Sequence, residues 1–445
     1  LILLLVSGGI WLFILFVLRK HDLSKPSDVS RTLIWAAVFT GLFLRALFIG
    51  STPIYEDDWN RYLWDGAVIT QGINPYVYSP ENVIYYKGLE LKPLVESDDD
   101  LPTLNNLSHR NGDFAERINN AHLTTIYPPV AQAVFAISAM IKPFDKDVLR
   151  VLYLLSELLA LLLLIRALTL FKRSPLWVWL YALNPMVIFT AINGLHMDIL
   201  LVPLILGAII SVRSHPFIAG ILLAGAAAVK LWPLILGPIL YRSYRRSLSQ
   251  YIGYGLFLAL VSFVLCLPMM LHVGETSGLS AYSATWQRSS FIFPHLEAAL
   301  SQLSDYGPTI ARLLVAASIS FIALYFGLLG KGDRYSLPLV ALVTVLALYY
   351  LSPTGFPWYI IWFAALIPFV PSYGVALLCV SVSLYYGRFW LGESGRYDLY
   401  LNILVPLQFA LPLAVIALEI MRFRRKADIP PQTAFVSATT LKGLP

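Results

Sequence analysis

The sequence predicts an all-α polytopic membrane protein: a bundle of about thirteen transmembrane helices, with amphipathic membrane-surface helices in a long first outer loop. Three observations predict it. Of 445 residues, 58% are hydrophobic and only 13% charged, against roughly 25% charged in soluble domains. Apolar runs of span length recur from Leu1 to Met421 and are continuous rather than alternating, which argues against a β-barrel. Lys and Arg gather in short loops between the runs, where they set orientation. The net charge of +6 therefore reports topology, and no nucleic-acid partner is expected. Cys266 and Cys379 both fall inside apolar runs and provide no disulfide framework.

Residues 1–18 form the first span. Its basic residues, Arg19 and Lys20, follow the apolar run, the reverse of a signal peptide, and the missing Met implies residues upstream. The loop with Arg19, Lys20, His21, Lys25 and Arg31 is cytoplasmic by the positive-inside rule. Residues 32–50 then cross outward and deliver residues 51–127 to the outer side. That loop holds 12 of the 26 carboxylates and only 5 of the 32 Lys and Arg. It includes Tyr76, Tyr78, Tyr85 and Tyr86, a polar stretch at Asp98–Asp100, and the weak glycosylation motif Asn106-Leu107-Ser108.

After Tyr127-Pro128-Pro129 comes an apolar run of about fifteen residues to Lys142, short for a span. A dip that returns to the outer side puts Lys172, Arg173 and every later basic cluster inside. Further spans are expected at 151–171, 176–192 and 199–212, then at 216–241, divided by Lys230 into two halves. The series continues with 252–271, 310–329, 337–351, 358–369, 375–390 and 399–421. Arg242, Arg245, Arg246, Lys331, Arg334, Arg422, Arg424, Arg425 and Lys426 fall inside. Residues 1–421 read as one transmembrane domain without internal repeats, and 422–445 as a cytoplasmic tail.

The chemistry concentrates just beyond the second span. Glu56, Asp57 and Asp58 open a short segment that Gly72 and Pro75 stop. On a helix, Asp57, Asp58, Arg61, Tyr62 and Asp65 share one face, and Trp59 and Leu63 lie away from it. Such a helix suits the membrane surface. Close carboxylates raise one another's proton affinity, which suits a general base, and they also suit a divalent cation such as Mg or Mn. The plain alternative is a helix start whose acids favour the dipole. Arg61 is spaced for a salt-bridge ladder with Asp57 and Asp65, or for clamping a phosphate. Arg45 lies inside the second span, where snorkelling is the simple reading and pocket lining the functional one.

Other polar groups fall on the same outer side. His196 and Asp198, in Asn193-Gly194-Leu195-His196-Met197-Asp198, read as sugar or proton ligands, or as caps of a tight turn. Lys230 sits at membrane depth between two half-helices, where an ammonium is a functional residue by default and suits a lipid phosphate. Arg288 beside Trp286 suits sugar or phosphate, whereas Trp358 and Tyr359 read first as interfacial aromatics. There is no Walker loop, dinucleotide fingerprint, zinc spacing or Gly-x-Ser-x-Gly elbow.

These motifs resemble a known group. Asp57-Asp58-Trp59-Asn60-Arg61-Tyr62-Leu63-Trp64-Asp65-Gly66, continuing to Gly72-Ile73-Asn74-Pro75-Tyr76, is similar to the first outer loop of bacterial polyprenyl-phosphate-sugar-dependent glycosyltransferases of the GT-C superfamily. The look is nearest to their mannosyltransferase-like branch. The likeness extends to Tyr127-Pro128-Pro129, Gly194-Leu195-His196-Met197-Asp198, Ala228-Val229-Lys230 with Pro233, and Pro357-Trp358-Tyr359. Leu195 stands between Gly and His, and Met197 replaces the usual Asn. The resemblance implies a membrane-embedded fold, a lipid-phosphate sugar donor, and a first-loop acid as catalytic base.

The combined expectation is a hexosyltransferase of the bacterial inner membrane, acting on its periplasmic side. It moves mannose or another hexose from a polyprenyl phosphate to a glycan, lipid or protein acceptor, with inversion. Asp57 or Asp58 is the base. Arg61, Asp65, His196, Asp198, Lys230 and Arg288 serve the donor; Glu56, Tyr62, Arg45, Tyr127, Trp286, Trp358 and Tyr359 line the pocket. The rival is a transporter or flippase of a lipid-linked sugar, which would carry its ionisable groups along a pathway within repeated halves.

Overall fold

The structure, a computed structural model, describes residues 1–20, 30–88, 100–109, 112–242, 247–274, 276–329 and 337–428. His21, Lys25, Asp98, Asp99, Arg245, Arg246, Lys331, Arg334 and the tail from 429 lie outside them, as do the side chains of Tyr85, Tyr86, Arg424, Arg425 and Lys426. Among the described residues the secondary structure is helical, with two isolated β-bridges, Thr124 with Ser277 and Arg288 with Thr354.

Helices α1 (Ile2–Lys20) and α2 (Arg31–Ala46) lead to the first outer loop. That loop folds into α3 (Asp58–Thr70), α4 (Pro80–Gly88) and α5 (Asp100–His109). Next come α6 (Pro129–Ile141) and α7 (Lys146–Leu170). Asp145 caps α7, its carboxylate accepting from the N–H groups of Asp147 and Val148 at 2.8 and 3.3 Å. The described residues end with the long helix Val405–Asp428, which continues past residue 421.

Among the described residues six helices are long and apolar enough to cross a membrane, or seven if the bent pair Pro175–Ala182 and Pro185–Asn193 is one span. The expected count of about thirteen is not reproduced, because Pro and Gly break several apolar runs into pieces. The expected span 358–369 is two 3-10 turns flanking Ile361–Ala364. The run 216–241 is the helix Pro216–Ala227, a break at Lys230, the 3-10 turn Trp232–Leu236, and Gly237–Arg242. Apolar composition marks these pieces as buried; it does not make them span.

Two of these elements place the site. The first, α6, is short for a membrane span. Its 13 residues cover about 20 Å, against a hydrocarbon core of about 30 Å. Pro128, before it, lines the same cavity as Asp58, and Phe144, after it, packs on outer-loop Phe114 with ring centroids 4.6 Å apart. The second, α3, corrects the sequence reading of a helix with a wet polar side. Every residue from Asn60 to Val68 is buried, because α6 covers it at close range. A Cβ at Gly66 would stand 2.2 Å from the Phe135 carbonyl oxygen, so this crossing tolerates only glycine.

Contacts keep the two faces distinct. On the site face, Asn193 accepts from the Ile54 N–H at 3.0 Å, Tyr55 stacks on Tyr386 and Phe389, and Asp147 accepts from the Gly50 N–H. On the opposite face, Arg19 pairs with Glu419 at 3.1 Å, and Glu419 accepts from the N–H groups of Tyr373 and Gly374 at the start of a helix. Phe171, at the far end of α7, meets Phe369 on that opposite face. Lys172 and Arg173 follow Phe171, away from the site.

Candidate active site

Asp58 is the first residue of α3, and neither it nor Asp57 at the N-cap position makes the side-chain capping bond that a purely structural acid would supply. Asp57 is exposed; Asp58 turns inward and lines a cavity of about 290 Å³. Burial pushes the Asp58 carboxyl above the ordinary range for aspartate, and the nearby Glu56 and Asp57 add to that. The His196 ring and a hydrogen bond from Asn119 oppose it. Burial prevails, so this carboxylate holds a proton more readily than an ordinary aspartate, a shift in the direction that suits a general base.

The cations of the cavity are both paired, in different ways. Arg61 donates through Nε to Asp65 at 2.7 Å and through Nη1 to the Leu123 carbonyl at 3.0 Å. Its Nη2 is buried with no hydrogen-bond partner, and the side chain lines the cavity. Asp65 does not line it. That carboxylate sits behind Arg61, fixed by Gln132 of α6 at 2.9 Å, and orients the guanidinium. Lys230 donates to Asp198 at 2.8 Å, and Asp198 also accepts from the Trp362 indole at 2.5 Å. Both Lys230 and Asp198 line the cavity, and the ammonium rests over the rings of Tyr359 and Trp362 at 4.3 and 5.1 Å. The broken helix makes this geometry possible, since Lys230 falls where the helical ladder stops.

Aromatic and aliphatic groups form the remaining walls. Tyr62, Tyr127, Trp286, Trp358 and Tyr359 all line the cavity. Trp358 is sandwiched, with His196 stacked at 3.9 Å on one face and Phe356 at 4.4 Å on the other, so only its edge reaches the space. The cavity therefore combines two carboxylates, Asp58 and the lysine-paired Asp198, with two held cations and a mostly apolar surround. That suits a ligand with an anionic head and a hydrocarbon body.

The sequence model of glycosyltransferase family 87 matches residues 125–353, just over half the chain. The chain belongs to glycosyltransferase family 87. That family lies in the GT-C superfamily, and the protein is a membrane glycosyltransferase. No curated protein and no solved structure matches the chain significantly. The matched segment of the transferase includes Tyr127, Asp198, Lys230 and Trp286; Asp58, Arg61 and Trp358 lie outside it and join it only through the fold.

Other residues singled out from the sequence fall elsewhere. His196 is fully buried behind Trp358, with Nε2 3.6 Å from Glu56, and neither residue lines the cavity. Arg288 is exposed; its backbone pairs with the 353–355 segment, and its side chain is not part of the cavity wall. Arg45 neither snorkels nor lines the pocket. It is fully buried against Glu157 at 3.0 Å, and Tyr181 donates to that carboxylate at 2.9 Å. Sequence reasoning missed Asn119, Tyr282, Trp232 and Trp362, all of which line the cavity. Tyr282 was reachable only as part of a polar outer loop, and the tryptophans look like ordinary belt residues.

Nor do the paired aspartates fit a bridging cation. The Asn119 amide nitrogen lies 2.7 Å from Asp57 and 3.1 Å from Asp58, so a hydrogen-bond donor holds the place a cation would take. Among the described residues no group of three or more His, Cys, Asp or Glu is arranged to bind a metal ion.

Proposed function

We propose that this transferase moves a hexose, mannose or another, from a polyprenyl phosphate to an acceptor hydroxyl on the non-cytoplasmic side of a bacterial inner membrane. Asp58 is the general base and the anomeric carbon inverts. The observation that carries the reading is the meeting of Asp58 and Arg61, both on α3, with Lys230 from a distant part of the chain, around one cavity with apolar walls.

The acceptor hydroxyl attacks the anomeric carbon and forms the new carbon–oxygen bond, while its proton passes to Asp58. The bond from that carbon to the phosphate oxygen breaks, and its electron pair leaves with the phosphate. Fixed cations stabilise the charge that grows there. Arg61 fits this role best, because Nη2 is buried and unsatisfied. Lys230 contributes with its charge partly balanced by Asp198. The positive-inside rule, applied to the basic loops, supports an orientation with the cavity on the outer face.

Purified enzyme in proteoliposomes, given polyprenyl-phosphate hexoses and a panel of glycan, lipid and peptide acceptors, tests the reading. Formation of a covalent glycoside with inverted configuration, lost in Asp58→Asn, supports it. Movement of the lipid-linked sugar across the bilayer without any covalent product would favour a flippase and overturn it.

A further inference from the structure

One turn of the outer loop grips both chemical residues of α3. After the 3-10 turn Phe114–Arg117 the chain reaches Asn119 and Asn120, the latter with φ +50°, and the Leu123 N–H closes the turn on the Asn120 carbonyl at 3.0 Å. The Asn119 amide nitrogen donates to Oδ1 of Asp57 at 2.7 Å and to Oδ1 of Asp58 at 3.1 Å. Its own carbonyl oxygen accepts from the Asn120 amide at 3.3 Å. Chemistry fixes this orientation: reversed, the amide would set a carbonyl oxygen against two carboxylates. Four residues on, the Leu123 carbonyl holds Arg61. Thr124 then pairs through its backbone with residues 276 and 278, at the start of the helix Gly278–Thr285 that brings Tyr282 over the cavity. Oδ2 of Asp58 has no protein partner among the described residues.

We propose that Asn119 is a positioning residue for Asp58, a claim that rests on Asp58 being the base. Its amide fixes Oδ1 and leaves Oδ2 facing the cavity to take the hydroxyl proton. The same donor, together with His196, favours the ionised carboxylate, which burial, Glu56 and Asp57 disfavour. Asp57 is the second acceptor of that amide and takes no proton from substrate. Nothing in the family match reaches this turn, which ends where the matched segment begins.

The test is the pH dependence of transfer by Asn119→Ala and the isosteric Asn119→Asp, with wild type and Asp58→Asn in parallel. For N119A the expected result is a fall in kcat at neutral pH of about 10-fold or more, with donor KM unchanged. The acid limb of its profile moves to higher pH and the rate recovers in alkali. N119D, with a third carboxylate in place of the donor, moves the limb further in the same direction. A wild-type acid limb in both variants overturns the proposal, whether kcat is retained or lost, because a merely structural role would not be rescued by pH. If D58N itself keeps the wild-type rate, the reading of Asp58 as base fails instead; a dead D58N with unshifted N119 variants sinks only the role of Asn119.

Discussion

Two buried ion pairs, both built from charges inside apolar runs, have opposite surroundings. Arg45 and Glu157 are each wholly buried, 3.0 Å apart, with Tyr181 and the carbonyls of Gly41 and Ala182 around them. Lys230 and Asp198 are 2.8 Å apart, but the lysine side chain keeps 23% of its exposure and both groups open onto the cavity. The first pair is sealed between α2 and α7, where no ligand reaches it. The second stands at a helix break beside Asp58 and Arg61. An intramembrane charge is thus evidence of function only when its partner leaves a path to it; otherwise it fixes how helices pack.

The contrast breaks most sharply through stability. Removing one member of a sealed pair strands the other, so Glu157→Ala should cost about 3–5 kcal/mol of stability, whereas Arg45→Met with Glu157→Leu together should restore most of it. Thermal unfolding in detergent measures both. At the open pair the order reverses. Lys230→Met should lower transfer by roughly 100-fold and cost less stability than Glu157→Ala, since Lys230 is partly exposed and Asp198, though buried, keeps its bond from the Trp362 indole. A Lys230→Met protein that unfolds like Glu157→Ala would erase the distinction.

Electrostatics sharpens it further. The Asp58 pKa is raised in the folded protein by burial, so the base loses its proton-accepting form as pH falls through a value above that of an ordinary aspartate. Activity should therefore fail on the acid side earlier than a solvent-exposed carboxylate would dictate. The same shift has a stability sign. A carboxyl whose folded pKa is raised favours the neutral form, so its ionised form costs stability at neutral pH. Asp58→Asn should leave Tm equal or higher, and the difference should vanish once acid protonates the wild-type group. Arg288→Gln sits at the small end: its side chain is exposed and off the cavity wall, so transfer should stay within about twofold, as for ordinary surface changes.

Much of this was legible in the residues because charge is conspicuous in apolar sequence. Asp58, Arg61, Asp198 and Lys230 stand out for that reason, and the cavity includes all four. The same signal also picked out Arg45, because composition cannot tell a sealed pair from an open one; only Glu157 at 3.0 Å decides it. The span count failed for a related reason. Hydropathy registers burial, and pieces such as Ile361–Ala364 are buried by neighbouring helices rather than by lipid. Asn119 left no trace, since a single amide in a polar loop has neither period nor motif. Its role depends on a turn that returns 62 positions later to α3.

The central claim is that the acidic triplet divides its labour, with one carboxylate facing the substrate and its neighbour facing water. Transfer rates of Asp58→Asn and Asp57→Asn, measured side by side at saturating polyprenyl-phosphate hexose, test it most directly. Asp58→Asn should lose about 100- to 10,000-fold, the span expected for a missing general base, and Asp57→Asn no more than a few-fold. Equal losses in the two, or full activity in Asp58→Asn, would contradict the account.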